Sequence, residues 1–194
     1  MNSRTFSKQA RPFNGLELGE RNRRDVNDFR PTDLIRSVND MNEGLDFKGL
    51  KLRSSTVFCV GASIDLGRGI GREVALTRRK VEAGAQFFLS QPTFDGGGPT
   101  ELMTAYADRY GEELSTPVFH GVQVMTPNSL VFGSVPDWIN DDLARGRSGV
   151  DIALQVLHDF SEAGFRSIYL VPPVLRGGRR DYDAAQAVLE EFRR

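Results

Sequence analysis

The chain has 194 residues, 39% hydrophobic and 26% charged, the composition of a globular domain with one sizeable core. Its 25 Lys and Arg against 26 Asp and Glu give a formal charge of -1, which excludes a uniform basic surface for nucleic acid. The single cysteine, Cys59, excludes an intramolecular disulfide, and two histidines without a Cys or His cluster leave a structural zinc site without ligands.

No apolar run approaches the about 20 residues of a membrane helix, and the polar start MNSRTFSKQARPFNG lacks a signal peptide's apolar centre. The expectation is a cytoplasmic protein with no membrane, nucleic-acid or metal partner. Residues 1–30 scatter Arg, Asn and Asp without periodicity and read as an irregular N-terminal arm ahead of one domain over 31–194. In PTDLIRSVNDMNEG, Leu34, Ile35, Val38 and Met41 are spaced as one helical face, with Thr32 a capping candidate and Gly44 placed to end the helix.

Four apolar runs follow: residues 56–62 (TVFCVGA), 86–91 (QFFLSQ), 118–124 (VFHGVQV) and 167–172 (SIYLVP). Apolar residues run together in them rather than alternating with polar ones, which predicts strands buried on both faces. Cys59 then reads as a buried, inert thiol. Helical patterns lie between and after the strands, at residues 72–83, 100–114, about 135–144, 150–163 and 182–192. Strand alternating with helix requires crossovers and therefore a parallel sheet.

The expected fold class is α/β, a parallel (β/α) barrel of the TIM type that is incomplete, with about the last four or five β/α units. Polar or small residues at the strand ends, Ser63, Gln91, and Gln123 with Thr126, favour a barrel, which builds its site at the C-terminal ends of its strands. The competing dinucleotide fingerprint fails, because Gly67, Gly69 and Gly71 give G-R-G-I-G where G-x-G-x-x-G is needed.

The stretch TRRKVEAGAQFFLSQPTFD, residues 77–95, resembles the central signature of the methylenetetrahydrofolate reductase family. The resemblance continues in order through VFHGVQVMTPNSL, VPDWINDDL and SGVDIALQVLHDFSEAGFRSIYLVPP, and back into FRPTDLIRSVNDMNEGLD, covering about residues 29–192. It implies a (β/α)₈ barrel that holds FAD and uses NADH or NADPH to reduce 5,10-methylenetetrahydrofolate to 5-methyltetrahydrofolate. Matched to this chain, it implies Arg79 and Lys80 as FAD contacts and Gln91 as the residue that hydrogen-bonds the folate pterin.

The segment NGLELGE is similar to the family's fourth strand, which makes Glu20 a further cofactor-binding candidate near the flavin. No catalytic residue is assigned, since the family's protonating glutamate belongs to the barrel's first half. A closed barrel typically needs about 250 residues. The expected partners are therefore a folate substrate and a chain supplying the other half-barrel, or a second copy. A non-catalytic folate-binding or assembly subunit is the alternative reading.

On the residues alone, several alternatives stay open. Arg78, Arg79 and Lys80 are a cationic turn able to hold a pyrophosphate or a solvated helix face. Gln91 offers a donor and an acceptor for a heteroaromatic amide edge, or is a strand-terminal amide bonded to its own loop. Asp95 reads first as a cap for the following glycines, Trp138 as a helix-packing residue, His120 as a core histidine, and Arg176 as a solvated loop arginine. Gly84 reads as a helix end and Gly121 as a close approach inside a strand.

Overall fold

The computed structural model describes residues 29–131 and 135–193. Glu20 and nearly all of the N-terminal arm lie outside the described residues. Helix α1, Pro31–Asn42, starts with Pro at its first position, where the fixed φ suits a helix and the missing N–H costs nothing. Thr32 is therefore inside the helix and not its cap; Arg30 holds the cap position without a side-chain bond. Gly44, at φ 80°, turns the chain away as expected.

Four short strands follow, β1 Gly61–Ile64, β2 Phe87–Ser90, β3 Val118–Gln123 and β4 Ile168–Val171, in one sheet ordered β1-β2-β3-β4. Every neighbouring pair is parallel, as the alternation of strand and helix demands. Between and after them run α2 Ile70–Glu82, α3 Gly97–Tyr110, α4 Asp137–Ala144, α5 Gly149–Glu162 and α6 Tyr182–Phe192. Among the described residues no helix is long and apolar enough to cross a membrane.

The first strand begins five residues later than the apolar run suggests. The reason is the side chain of Asn42, whose Oδ1 accepts from Phe58 N (2.8 Å) and whose Nδ2 donates to Phe58 O (2.9 Å). Residues 56–60 thus meet their backbone needs partly through a side chain and stay outside the ladder. Val57 is 98% exposed, and Cys59 is exposed rather than buried, a correction to the apolar-run reading.

Helices cover one face of the sheet. On it, Ile64, Phe88 and Val118 pack with Ile35 of α1, Val74 of α2 and Leu102 of α3. Val122 and Leu170 pack with Val156 and Phe160 of α5 and Val188 of α6. A third cluster, Phe94, Met125, Ile139 and Leu143, seats α4 beyond the end of the sheet, where Trp138 packs as a helix-anchoring residue. All crossovers on one side give an α/β arrangement of the TIM type, incomplete at four strands, and not an open sheet wound on both faces.

The other face corrects the expectation of strands buried on both sides. Gly61, Ser63, Leu89 and Phe119 are exposed there. Phe87 meets Phe119 edge-on with centroids 6.2 Å apart, and its ring lies over Gly61. Tyr169 lies over Gly121, where an added Cβ would sit 2.8 Å from the phenolic oxygen, so a glycine is required. The uninterrupted apolar runs are real, but among the described residues no second layer covers this face.

Candidate functional site

The C-terminal ends of the strands gather the polar residues that the sequence places there. Gln91 directly follows β2, and its peptide is held from both sides. Its N–H donates to Ile64 O at the end of β1 (2.7 Å). The carbonyl before it, Ser90 O, accepts from the Tyr169 hydroxyl of β4 (2.6 Å), and Ser90 Oγ accepts from Gly121 N of β3 (3.0 Å). Two strands therefore fix the Gln91 peptide and a third holds the Ser90 side chain before it, while the half-buried Gln91 amide makes no hydrogen bond among the described residues. A fixed backbone carrying an uncommitted donor and acceptor is an arrangement suited to ligand recognition.

Tyr169 was not singled out by sequence reasoning, because SIYLVP reads as an apolar strand. The signal available was its position, one residue of a strand whose alternate residues must share a face. Burial pushes the Tyr169 hydroxyl pKa up, so it stays a donor to Ser90 O. Gln123, at the end of β3, has a different fate: it is 2% exposed and its Nε2 donates to Leu130 O (2.7 Å), tying down the loop after β3. Thr126 closes a turn with Ser129, whose Oγ accepts from Thr126 N (2.8 Å). Ser63 is exposed on the open face.

The three cationic residues do not form the expected turn. They are consecutive within α2, so about 100° of helix rotation separates each from the next. Arg78 points toward α3, paired with Glu82 (2.7 Å) and Glu112 and stacked over Tyr110. Hydrogen bonds to the Tyr106 hydroxyl first, then to Glu82 and Glu112, raise its pKa. Arg79 is exposed, its Nε bonded to Ala75 O of its own helix (3.3 Å). Lys80 turns inward: it is 5% exposed, its Nζ lies 3.1 Å from Glu73 Oε1, and it donates to Ser63 O.

The remaining candidates fall on their structural readings. Asp95 Oδ1 accepts from Gly97 N (2.8 Å) and Gly98 N (3.3 Å), capping α3. Gly84 ends the turn after α2 at φ 96°, with its carbonyl accepting from Asn39 Nδ2 (3.1 Å). Arg176 is exposed in a short 3₁₀ turn. His120 is 3% exposed on the helix side of β3, its ring against Phe165 (4.4 Å) and Phe160 (5.7 Å), with Nδ1 lacking a partner among the described residues. Burial pushes its imidazole down to about 4. It lines a cleft of about 230 Å³ between residues 114–118 and 164–167, at the N-terminal ends of β3 and β4, away from Gln91.

The chain matches no family model and no curated protein. Among solved structures, its fold is similar to an uncharacterized protein from Clostridium thermocellum that binds two copies of 5-methyl-5,6,7,8-tetrahydrofolic acid. The two share a TM-score of 0.53 and 14% sequence identity over 73% of this chain and 55% of that one. The chain thus spans about half the length of that structure, and at this identity the likeness is one of fold.

Proposed function

We propose that the chain binds a reduced folate at the C-terminal rim of its sheet, as the folate-recognising part of a methylenetetrahydrofolate reductase-like barrel. The observation that carries the reading is Gln91. It follows a strand on the rim where such barrels bind ligands, β1 and β4 hold its peptide while β3 holds Ser90 before it, and its amide has no partner among the described residues. The amide can pair a donor and an acceptor with the lactam edge of a pterin. The order of the sequence resemblance and a solved structure of similar fold that binds 5-methyltetrahydrofolate support the same ligand class.

FAD, which the resemblance also implies, is not matched by the residues expected to hold it. Lys80 is buried and neutralised by Glu73, and Arg78 faces away toward Glu82 and Glu112. Arg79 alone is left in solvent. We therefore propose folate binding without assigning the NAD(P)H-dependent reduction of 5,10-methylenetetrahydrofolate to this arrangement. The open face, with Leu89 and Phe119 exposed, needs further β/α units over it before a bound folate is enclosed.

Isothermal titration with 5-methyltetrahydrofolate, on the chain and on its Gln91→Glu variant, tests the reading. Replacing a pairing amide by a carboxylate in a desolvated contact costs about 1 to 3 kcal/mol, so the Kd should rise about five-fold to a hundred-fold. No uptake by the unaltered chain at millimolar folate overturns the proposal. An unchanged Kd in the variant removes Gln91 from the site.

A further inference from the structure

Glu73 and Lys80 form a buried ion pair on α2. Glu73, Thr77 and Lys80 stand at i, i+4 and i+7, one face of the helix, and that face lies against β1. Glu73 is fully buried and Lys80 is 5% exposed. Lys80 Nζ reaches Glu73 Oε1 at 3.1 Å and also donates to Ser63 O. Glu73 Oε2 and Thr77 Oγ1 have no partner among the described residues, so Lys80 is the single countercharge that Glu73 has there.

We infer that Lys80, set by Glu73, is a positioning residue that fixes the C-terminal end of β1 and through it Gln91. The path is short. Ser63 O takes the ammonium, and the next carbonyl, Ile64 O, takes the N–H of Gln91 at 2.7 Å. β1 is the edge of the described sheet, paired with β2 on one side only, so its end is held from the helix layer. The other supports here, Tyr169 on the Ser90 carbonyl and Gly121 on the Ser90 hydroxyl, come from β4 and β3, so Lys80 braces the side of the rim they do not reach.

Energetics favour this assignment over simple stabilisation. Two buried charges carry a desolvation cost that a well-packed apolar pair avoids, and such replacements are often neutral or stabilising. An apolar pair cannot donate to a carbonyl. What the ion pair adds at this place is the charged donor on Ser63 O, and that contact determines where β1 ends. The consequence for folate rests on the reading proposed above; the positioning of Gln91 does not.

The test uses the whole chain and a Glu73→Leu, Lys80→Met double variant, which removes both charges together. Urea unfolding should find the double variant at least as stable as the unaltered chain. Amide exchange followed by NMR should show the Gln91 N–H exchanging about ten-fold faster or more, because its acceptor strand end is loosened locally. The Kd for 5-methyltetrahydrofolate should rise about five-fold, the effect of one weakened positioning contact. Unchanged Gln91 exchange in a folded double variant overturns the inference.

If the unaltered chain takes up no 5-methyltetrahydrofolate, the folate reading fails while the exchange result still decides the role of Lys80. Should the double variant not fold, the unaltered chain decides: hydrogen-bond coupling between the Lys80 Nζ nitrogen and the Ser63 carbonyl carbon is expected. Its absence, with a freely exchanging ammonium, overturns the assignment.

Discussion

Acid should destabilise this fold through His120 more than through any other side chain whose ionisation burial suppresses. The imidazole is 3% exposed between β3 and the corner after α5, against Phe160 and Phe165, with Nδ1 lacking a partner among the described residues. Arg166, from the loop after α5, lines the same cleft. Burial holds the imidazole neutral down to about 4, below the ordinary 6.5. The folded state therefore binds its proton later than the unfolded chain does.

The stability that a neutral His120 contributes is fully present above pH 6.5 and is lost as pH falls from 6.5 through about 4. That difference corresponds to about 2 to 3 kcal/mol, allowing for the partial access that the cleft gives to water. Urea unfolding at pH 7 and at pH 4 measures it, with His120→Leu as the reference. Carboxylate titration is common to both proteins, so the unaltered chain should lose about 2 to 3 kcal/mol more than the variant over this range. Parallel losses in the two proteins would refute the reasoning and place the imidazole in contact with solvent.

Gln91→Glu should weaken 5-methyltetrahydrofolate binding by about five-fold to a hundred-fold while leaving the urea midpoint nearly unchanged, since the altered amide has no bond among the described residues. Tyr169→Phe removes the donor to Ser90 O and should cost about 1 kcal/mol in urea unfolding; no loss would show that the 2.6 Å bond is offset by water in the unfolded chain. Gly121→Ala sets a methyl 2.8 Å from the Tyr169 oxygen and 3.1 Å from Ser90 O, and should cost about 1 to 3 kcal/mol as the ring is displaced. Combining Gly121→Ala with Tyr169→Phe should cost less than the sum of the two, because both act on one contact.

Much of the helical layer was legible because its signals are local. Asp95 and the glycines at 44 and 84 mark ends as read, and α6 runs over the residues its pattern predicts. The order and direction of the strands followed from the crossovers they need. The start of β1 was not legible, since it depends on Asn42 bonding the backbone of a residue 16 positions away. Nor does an apolar run tell whether its second face is covered. Phe119 and Leu89 have the same composition signal as Phe88, yet only Phe88 is buried.

Lys80 marks a different limit. A run of three cations reads as charge concentrated in one place, but in a helix consecutive side chains diverge, and only residues three, four or seven apart meet. Setting Lys80 beside Thr77 and Glu73 on one face was possible from spacing. That the face turns inward, committing the ammonium to Ser63 O, depends on the packing of α2 against β1.

Two glutamines at the ends of neighbouring strands show why residue type alone does not define a site. Gln123 is 2% exposed, and its amide holds Leu130 O at 2.7 Å. A ligand that took that donor would first have to break this bond, at a cost of about 0.5 to 1.5 kcal/mol before any gain. Gln91 faces no such cost, because its backbone N–H is already taken by Ile64 O and its amide has no partner among the described residues to lose. At equal contact quality, a ligand would favour Gln91 over Gln123 by about two-fold to ten-fold. The preference arises from the loop after β3 and the strand end before α2, not from either glutamine.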